Sequence, residues 1–159
     1  MFGKKILYPV ILGFLFLTCN SYCDDSAFES YKNAIRLFID GETVKAQKQL
    51  SKIMRENSDI SYIYASRGAI GFIYGSYQDG VKELDHAIEE EDENPYFYLS
   101  RSIVKAAIGN HQGAINDINK ALDMNSDDEY FYLQRGRYKY QTGDKASAEK
   151  DIQKAFSLA

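Results

Sequence analysis

The sequence predicts an all-α fold built from about four repeated helical hairpins, and three observations lead to this prediction. Glycine recurs at a step of 34 residues, at Gly41, Gly75, Gly109 and Gly143. Columns of small, aliphatic and tyrosine residues keep the same step. Each unit also contains two stretches with the apolar spacing of an amphipathic helix, one before its glycine and one after it.

Length and composition are those of an ordinary folded domain. The 159 residues include 45% hydrophobic and 26% charged residues, which excludes a disordered, collagen-like or disulfide-rich chain. One domain is expected at this length. The formal net charge of -4 argues against nucleic-acid binding, because phosphate backbones are bound by basic clusters.

The N-terminal segment, residues 1–23, has the pattern of an export signal. Lys4 and Lys5 precede an apolar run from residue 6 to residue 17, which is the order of regions in a signal peptide. This run is too short for a membrane-spanning helix, which needs about 18 or more apolar residues. The sequence therefore predicts export, with residues 24–159 as a single mature domain.

Two processing routes fit the end of this segment. The four residues that end at Cys19 resemble a relaxed bacterial lipobox, which implies a lipid on Cys19 and a lipoprotein attached to the outer membrane. Cleavage after Ser21 or Cys23 would instead give a soluble protein. We expect the periplasm or the outer membrane as its location, ahead of secretion into the medium.

Each unit is interpreted as a helical hairpin whose turn lies at the recurring glycine. Glycine suits the left-handed residue that ends a first helix, because it has no Cβ. A small residue five positions later lets the two helices approach closely. That small-residue column is Ala46, Gly80, Ala114 and Ala148.

Two connections carry residues that favour the start of a helix. Asn94 is a good capping residue, and Pro95 can occupy the first helical position without losing a needed hydrogen bond. Asn125, Ser126 and Asp127 provide comparable start signals for the fourth unit.

These features resemble the tetratricopeptide repeat family, whose 34-residue units are antiparallel helix pairs. Residues 64–68 and 132–136 resemble the family's first-helix signature, and residues 114–121 resemble its second-helix signature. The expected units are 27–60, 61–94, 95–128 and a shortened 129–159. The resemblance implies a right-handed superhelical solenoid whose first helices line a concave groove, and a role in holding peptides or proteins.

Arginines and acids recur together in three of the four units. The pairs, 16 residues apart, are Arg67 with Glu83, Arg101 with Asp117, and Arg135 with Asp151. In the first unit both members are replaced, by Asn33 and Gln49. Joint presence and joint absence predict an ion pair between the helices of a unit, with an anion-binding ladder as the alternative. Lys105 and Lys139 stand where the family has an apolar or aromatic residue.

Residues for catalysis or metal binding are not brought together by any motif. His86 and His111 fall in different units, and both cysteines lie in residues 1–23. Residues 123–128 begin like a calcium loop but lack its required glycine, and Gln134 stands where its terminal glutamate belongs. We therefore expect no catalytic site, no metal and no cofactor.

The groove implied by the resemblance is aromatic and apolar. Its candidate partner-binding residues are Phe28, Tyr31, Phe38, Tyr62, Phe72, Tyr96, Leu99, Tyr130, Arg137 and Tyr140. Tyrosine suits a binding surface because it combines apolar area with a polar tip, but the same rings could serve only to pack neighbouring units. Tyr31 and Ile35 stand where the family's carboxylate clamp needs lysine and asparagine, which argues against a receptor for chaperone tails.

The resulting functional hypothesis is a non-enzymatic protein-protein interaction adaptor of the bacterial cell envelope. It would hold a peptide segment or a partner protein in the groove. The alternative is a self-assembling structural subunit or an assembly factor of an envelope or secretion complex. Apolar residues of the last helix, among them Phe156, also predict weak homo-oligomerisation through that helix.

Overall fold

The structure, a computed structural model, describes residues 26–56 and 59–159, so the hypotheses on residues 1–23 and on Cys19 lie outside the described residues. This part of the chain forms eight α-helices in four antiparallel pairs, and it contains no strand. The helices are α1 (26–39), α2 (Thr43–Glu56), α3 (Ile60–Ile73), α4 (Tyr77–Glu90), α5 (Pro95–Ala107), α6 (His111–Met124), α7 (Glu129–Gln141) and α8 (Lys145–Leu158). We call α1, α3, α5 and α7 the first helices. The predicted all-α solenoid is confirmed.

The four recurring glycines end the first helices in the predicted conformation. Their φ angles are 86° at Gly41, 83° at Gly75, 82° at Gly109 and 92° at Gly143. A side chain is strained in this left-handed region, whereas glycine adopts it readily. The recurrence of glycine therefore reflects one backbone requirement that occurs once in each unit.

Side chains of Asp and Asn cap the first helices of the second, third and fourth pairs. Asp59 accepts a hydrogen bond from the Ser61 N–H, Asn94 accepts one from the Tyr96 N–H, and Asp128 accepts one from the N–H of Tyr130. The third cap corrects the sequence prediction, since residues 125–127 precede the cap. The buried carboxylate of Asp128 also has partners on other helices, as described below.

The second helix pair shows a close backbone approach. A Cβ added to Gly68 would lie 2.6 Å from Cγ of Leu84 and 2.9 Å from the carbonyl oxygen of Gly80. Gly80 belongs to the small-residue column, whose members are all buried. Two glycines facing each other therefore set the distance between α3 and α4.

Replacing Gly68 by alanine is expected to lower the free energy of unfolding by about 1 to 3 kcal/mol, because the new methyl group overpacks this contact. Gly71 on the same helix is the matched control, since a Cβ there would meet its nearest neighbour at 3.5 Å. Gly71→Ala should therefore be neutral or stabilising by up to about 1 kcal/mol. Denaturant unfolding of both variants checks the prediction, and equal effects would contradict it.

The predicted ion pairs between helices of one unit are confirmed. The pairing distances are 2.7 Å for Arg67 with Glu83, for Arg101 with Asp117 and for Arg135 with Asp151. In the first pair of helices, the amide of Asn33 donates to Gln49 at 3.5 Å. A neutral hydrogen-bonded pair therefore occupies the position of the ion pair in the unit that lacks both charged residues.

The two lysines that depart from the family pattern have a partner in this network. Lys105 lies 2.8 Å from Asp117, and Lys139 lies 2.8 Å from Asp151. Burial alone would raise the pKa of Asp151, but hydrogen bonds from Arg135 and Lys139 hold that pKa below its usual 3.8. This contribution to stability is present above the unfolded pKa and is lost as pH falls through the folded one.

Candidate binding site on the concave face

Tyrosines of the first helices bind the cap of the next first helix along the chain. The Asn94 amide donates to the Tyr62 hydroxyl at 3.0 Å. One repeat later, the hydroxyl of Tyr96 donates to the Asp128 carboxylate. Tyr62 and Tyr96 therefore join neighbouring repeats at the starts of α5 and α7.

Four of the candidate groove residues are completely enclosed. Tyr31 and Leu99 are 0% exposed, and Tyr62 and Tyr96 are 1% exposed. The Tyr31 hydroxyl donates to Oγ of Ser100 at 2.8 Å, and burial raises the pKa of Tyr31. These side chains present no surface to a partner in this structure, which corresponds to the packing alternative left open by the sequence.

The first and last helix pairs meet across the concave face. The Arg36 guanidinium on α1 lies 2.9 Å from the Asp128 carboxylate and 4.8 Å from the centre of the Tyr130 ring. The Tyr130 hydroxyl donates to the Asp40 carboxylate at 3.1 Å. We call these four residues the closing cluster.

The closing cluster shows how strongly the solenoid curves. Neighbouring packed helices lie about 8 to 10 Å apart, so three steps of a straight stack would separate α1 from α7 by about 24 to 30 Å. Direct hydrogen bonds between these helices require the stack to curl until its ends touch. The end of α1 and the start of α7 therefore meet across the concave face.

A cavity of about 460 Å³ remains on this face, towards the C-terminal ends of the first helices. Its described lining comes from α1, α3, α5 and α7: Phe38, Ile39, Phe72, Ile103, Ala106, Ala107, Gln134, Arg137, Tyr138 and Gln141. The volume lies in the range of ligand pockets, about 300 to 1,000 Å³. Burial raises the pKa of Tyr138 from 10.0 to about 12, so this ring is neutral at ordinary pH.

The repeat register explains the chemistry of the cavity. Three repeat columns contribute most of its lining, through Ile103 and Arg137, through Phe38, Phe72 and Ala106, and through Ile39, Ala107 and Gln141. Each column is apolar in the first three repeats and polar in the fourth. The full columns are Ile35, Ala69, Ile103 and Arg137; Phe38, Phe72, Ala106 and Tyr140; and Ile39, Ile73, Ala107 and Gln141. The cavity therefore has an apolar wall from α1, α3 and α5, and a polar wall from α7.

Arg137 differs from the other arginines of the first helices. Within residues 26–56 and 59–159, each of the others has an acidic partner: Arg36, Arg67, Arg101 and Arg135. No described carboxylate lies within ion-pair distance of Arg137, whose exposed side chain lines the cavity. Its guanidinium is therefore available to a bound molecule.

The structure brings together three of the ten candidate groove residues, Phe38, Phe72 and Arg137, in this cavity. Phe28 and Tyr130 are half-buried and lie outside the cavity lining, and Tyr140 is 58% exposed. Sequence reasoning missed the lining residues Gln134 and Gln141. Their positions three before and four after Arg137, on one helical face, could have indicated them.

The last helix leaves an apolar side chain uncovered. Phe156 is 74% exposed, whereas Ala155 beside it is 1% exposed. Self-association through this helix stays a prediction. Sedimentation of the full chain at rising concentration, compared with Phe156→Glu, tests it.

No helix among the described residues combines the length and the apolar character needed to cross a bilayer. No group of three or more potential metal ligands comes together in the same part of the chain.

No known family profile matches the sequence, and no curated protein matches it. Solved structures do resemble it. The first tetratricopeptide domain of Spaghetti (RPAP3), bound to the HSP90 peptide SRMEEVD, has a TM-score of 0.62 at 20% identity, and the match covers 64% of this chain and 81% of that one.

Two further solved structures resemble the chain to a similar degree. MamA matches with a TM-score of 0.60 at 20% identity, covering 81% of this chain and 75% of that one. The tetratricopeptide domain of Arabidopsis OM64 matches with a TM-score of 0.61 at 21% identity, covering 62% and 82%. At these identities the likeness concerns the fold, and the chain has a tetratricopeptide-repeat-like fold.

Proposed function

We propose that this protein is a non-enzymatic adaptor that binds a peptide segment of a partner protein in the concave cavity. The observation that carries the proposal is the cavity itself, with its apolar wall on three first helices and its polar wall on the fourth. Such a combination of apolar lining and a few convergent polar groups is typical of binding sites.

The structural neighbours support a peptide as the ligand, because two RPAP3 domains of similar fold are described as bound to an HSP90 peptide. The chaperone tail itself is not part of the proposal. Tyr31 and Ile35, which occupy clamp positions, are 0% and 2% exposed, so neither position offers a polar group to a ligand.

The proposed location is the bacterial cell envelope, after export directed by residues 1–23. This part rests on the sequence of that segment, with lipid attachment to Cys19 and soluble release as its two forms. Fatty-acid labelling of the chain and of Cys19→Ser distinguishes them, since a lipoprotein loses its label in the variant.

Filling the cavity is expected to abolish peptide binding. Ala106→Trp places a large ring at a lining position, whereas Ala146→Trp makes the same change at an exposed position on α8. Peptides are first selected from a random displayed library for binding to the full chain. They should bind Ala146→Trp as tightly as the parent chain, and Ala106→Trp at least about tenfold more weakly than the parent chain.

The circular-dichroism spectrum and melting temperature of both tryptophan variants show whether each is folded. Peptides that bind a folded Ala106→Trp variant as tightly as the parent chain would contradict the proposed site. Failure to select any peptide would contradict the proposed function.

A further inference from the structure

The charge of the cavity differs from that of the whole molecule. The chain has a formal net charge of -4, yet Arg137 is the charged member of the described cavity lining, and no carboxylate accompanies it. A cation that lines a cavity and has no acidic partner favours an anionic group on the bound molecule. Charge complementarity therefore indicates an anionic group on the ligand, and in a peptide of unmodified residues this group is a carboxylate.

The surroundings of Arg137 indicate where this carboxylate lies in the bound segment. Gln134, Arg137 and Gln141 line the cavity from one face of α7, and the two glutamines are about 10 Å apart along the helix axis. Three residues of an extended peptide span about the same length. An amide side chain can donate to a backbone carbonyl and accept from a backbone N–H, so polar partners for main chain lie on both sides of the cation.

The opposite wall provides the apolar part of the recognition. Phe38 and Phe72 form an edge-to-face pair with ring centres 5.1 Å apart, and Ile103 lies beside them in the lining. An extended peptide directs successive side chains to opposite sides. A segment that places its acidic side chain towards Arg137 therefore directs the neighbouring side chains towards these apolar residues.

We propose that the cavity recognises an internal peptide segment in which an acidic side chain is flanked by apolar side chains, with Arg137 binding the carboxylate. This inference rests on the proposed function and specifies the partner's chemistry. A free C-terminal carboxylate is the competing source of the same negative charge. Main-chain partners on both sides of Arg137 favour the internal segment, because a chain that ended at Arg137 would use one glutamine.

The probes are short acetylated and amidated peptides in which one glutamate is flanked by leucines, and the same peptides with glutamine or lysine in its place. Fluorescence anisotropy with the full chain should show the glutamate peptide binding about tenfold more tightly than the glutamine peptide, with a smaller difference at high salt. A leucine peptide with a free C-terminus and no glutamate tests the competing source. Tighter binding of that peptide would overturn the proposal.

Charge reversal at Arg137 gives the sharpest test. Arg137→Glu should lose the preference for glutamate and bind the lysine peptide more tightly than the glutamate peptide. Lys120→Glu is the control, because it changes the net charge equally at an exposed position of α6, and it should keep the parent preference. An unchanged preference in a folded Arg137→Glu variant would overturn the proposal.

The two proposals fail in different ways. If library-selected peptides bind the parent and lose affinity for Ala106→Trp, but show no acidic residue and no dependence on Arg137, the adaptor function stands and the acidic-segment inference is wrong. If no peptide binds the cavity, both are wrong. Peptides selected on the parent chain are expected to be enriched in glutamate or aspartate between apolar residues. Selections on Arg137→Glu are expected to lose this enrichment.

Discussion

Replacing Asp117 by alanine is expected to lower the free energy of unfolding by about 3 to 5 kcal/mol. Its side chain is 5% exposed and lies 2.7 Å from Arg101 and 2.8 Å from Lys105. Removing the carboxylate leaves Lys105, which is 19% exposed, without an acidic partner among the described residues. It leaves Arg101, which is 17% exposed, with Asp85 as its remaining counter-charge. Urea unfolding followed by circular dichroism measures the loss.

Glu83→Ala is the matched control in the preceding repeat. Its partner Arg67 is 50% exposed, so water can replace the lost contact, and a loss of about 1 kcal/mol or less is expected. A cost at Asp117 no larger than the cost at Glu83 would contradict this account. The ion pair at this repeat position would then contribute equally to the free energy of unfolding, whether it is buried or exposed.

Replacing Tyr62 by alanine is expected to cost about 3 to 5 kcal/mol of stability, as for other large buried rings. The ring packs edge-to-face on Tyr31 and Phe97, with centres 6.0 and 5.2 Å away, and its hydroxyl accepts from Asn94. The variant loses these contacts together with the link to the cap of α5. Its melting temperature and denaturant midpoint should both fall.

Tyr140→Ala provides the comparison. That tyrosine is 58% exposed, so its replacement should change the free energy of unfolding by no more than about 0.5 kcal/mol. Binding per folded molecule should be unchanged in Tyr62→Ala, since its ring is enclosed. A Tyr62→Ala protein that kept its stability but lost peptide affinity would contradict the structural role of this column.

The repeated architecture and much of its internal bonding could be predicted from the sequence, because they depend on positions that recur every 34 residues. A left-handed turn needs glycine in every unit, and Gly75 or Gly109 can be recognised by spacing alone. The pairing of Arg101 with Asp117 could be recognised in the same way, because replacement of both partners in the first unit marks them as a pair.

Periodicity could not predict which aromatic residues face a partner. Tyr62, Tyr96 and Tyr130 occupy equivalent positions, yet two are buried against the next repeat and the third is half-buried against α1. The Tyr130 hydroxyl binds Asp40, which follows α1, whereas Tyr62 and Tyr96 bind the cap of the next first helix. Equivalent positions therefore have different surroundings in different repeats.

The sequence by itself determined the hairpin, its glycine turn and the ion pairs within three of the four units, because these are local requirements that a repeat meets with its own residues. Only the tertiary structure decided the closing cluster and the cavity. Arg36 and Asp128 are 92 residues apart, and their contact depends on the summed curvature of all four repeats. Small rotations at each helix interface add along the stack, so the packing of whole repeats determines which residues meet across the concave face.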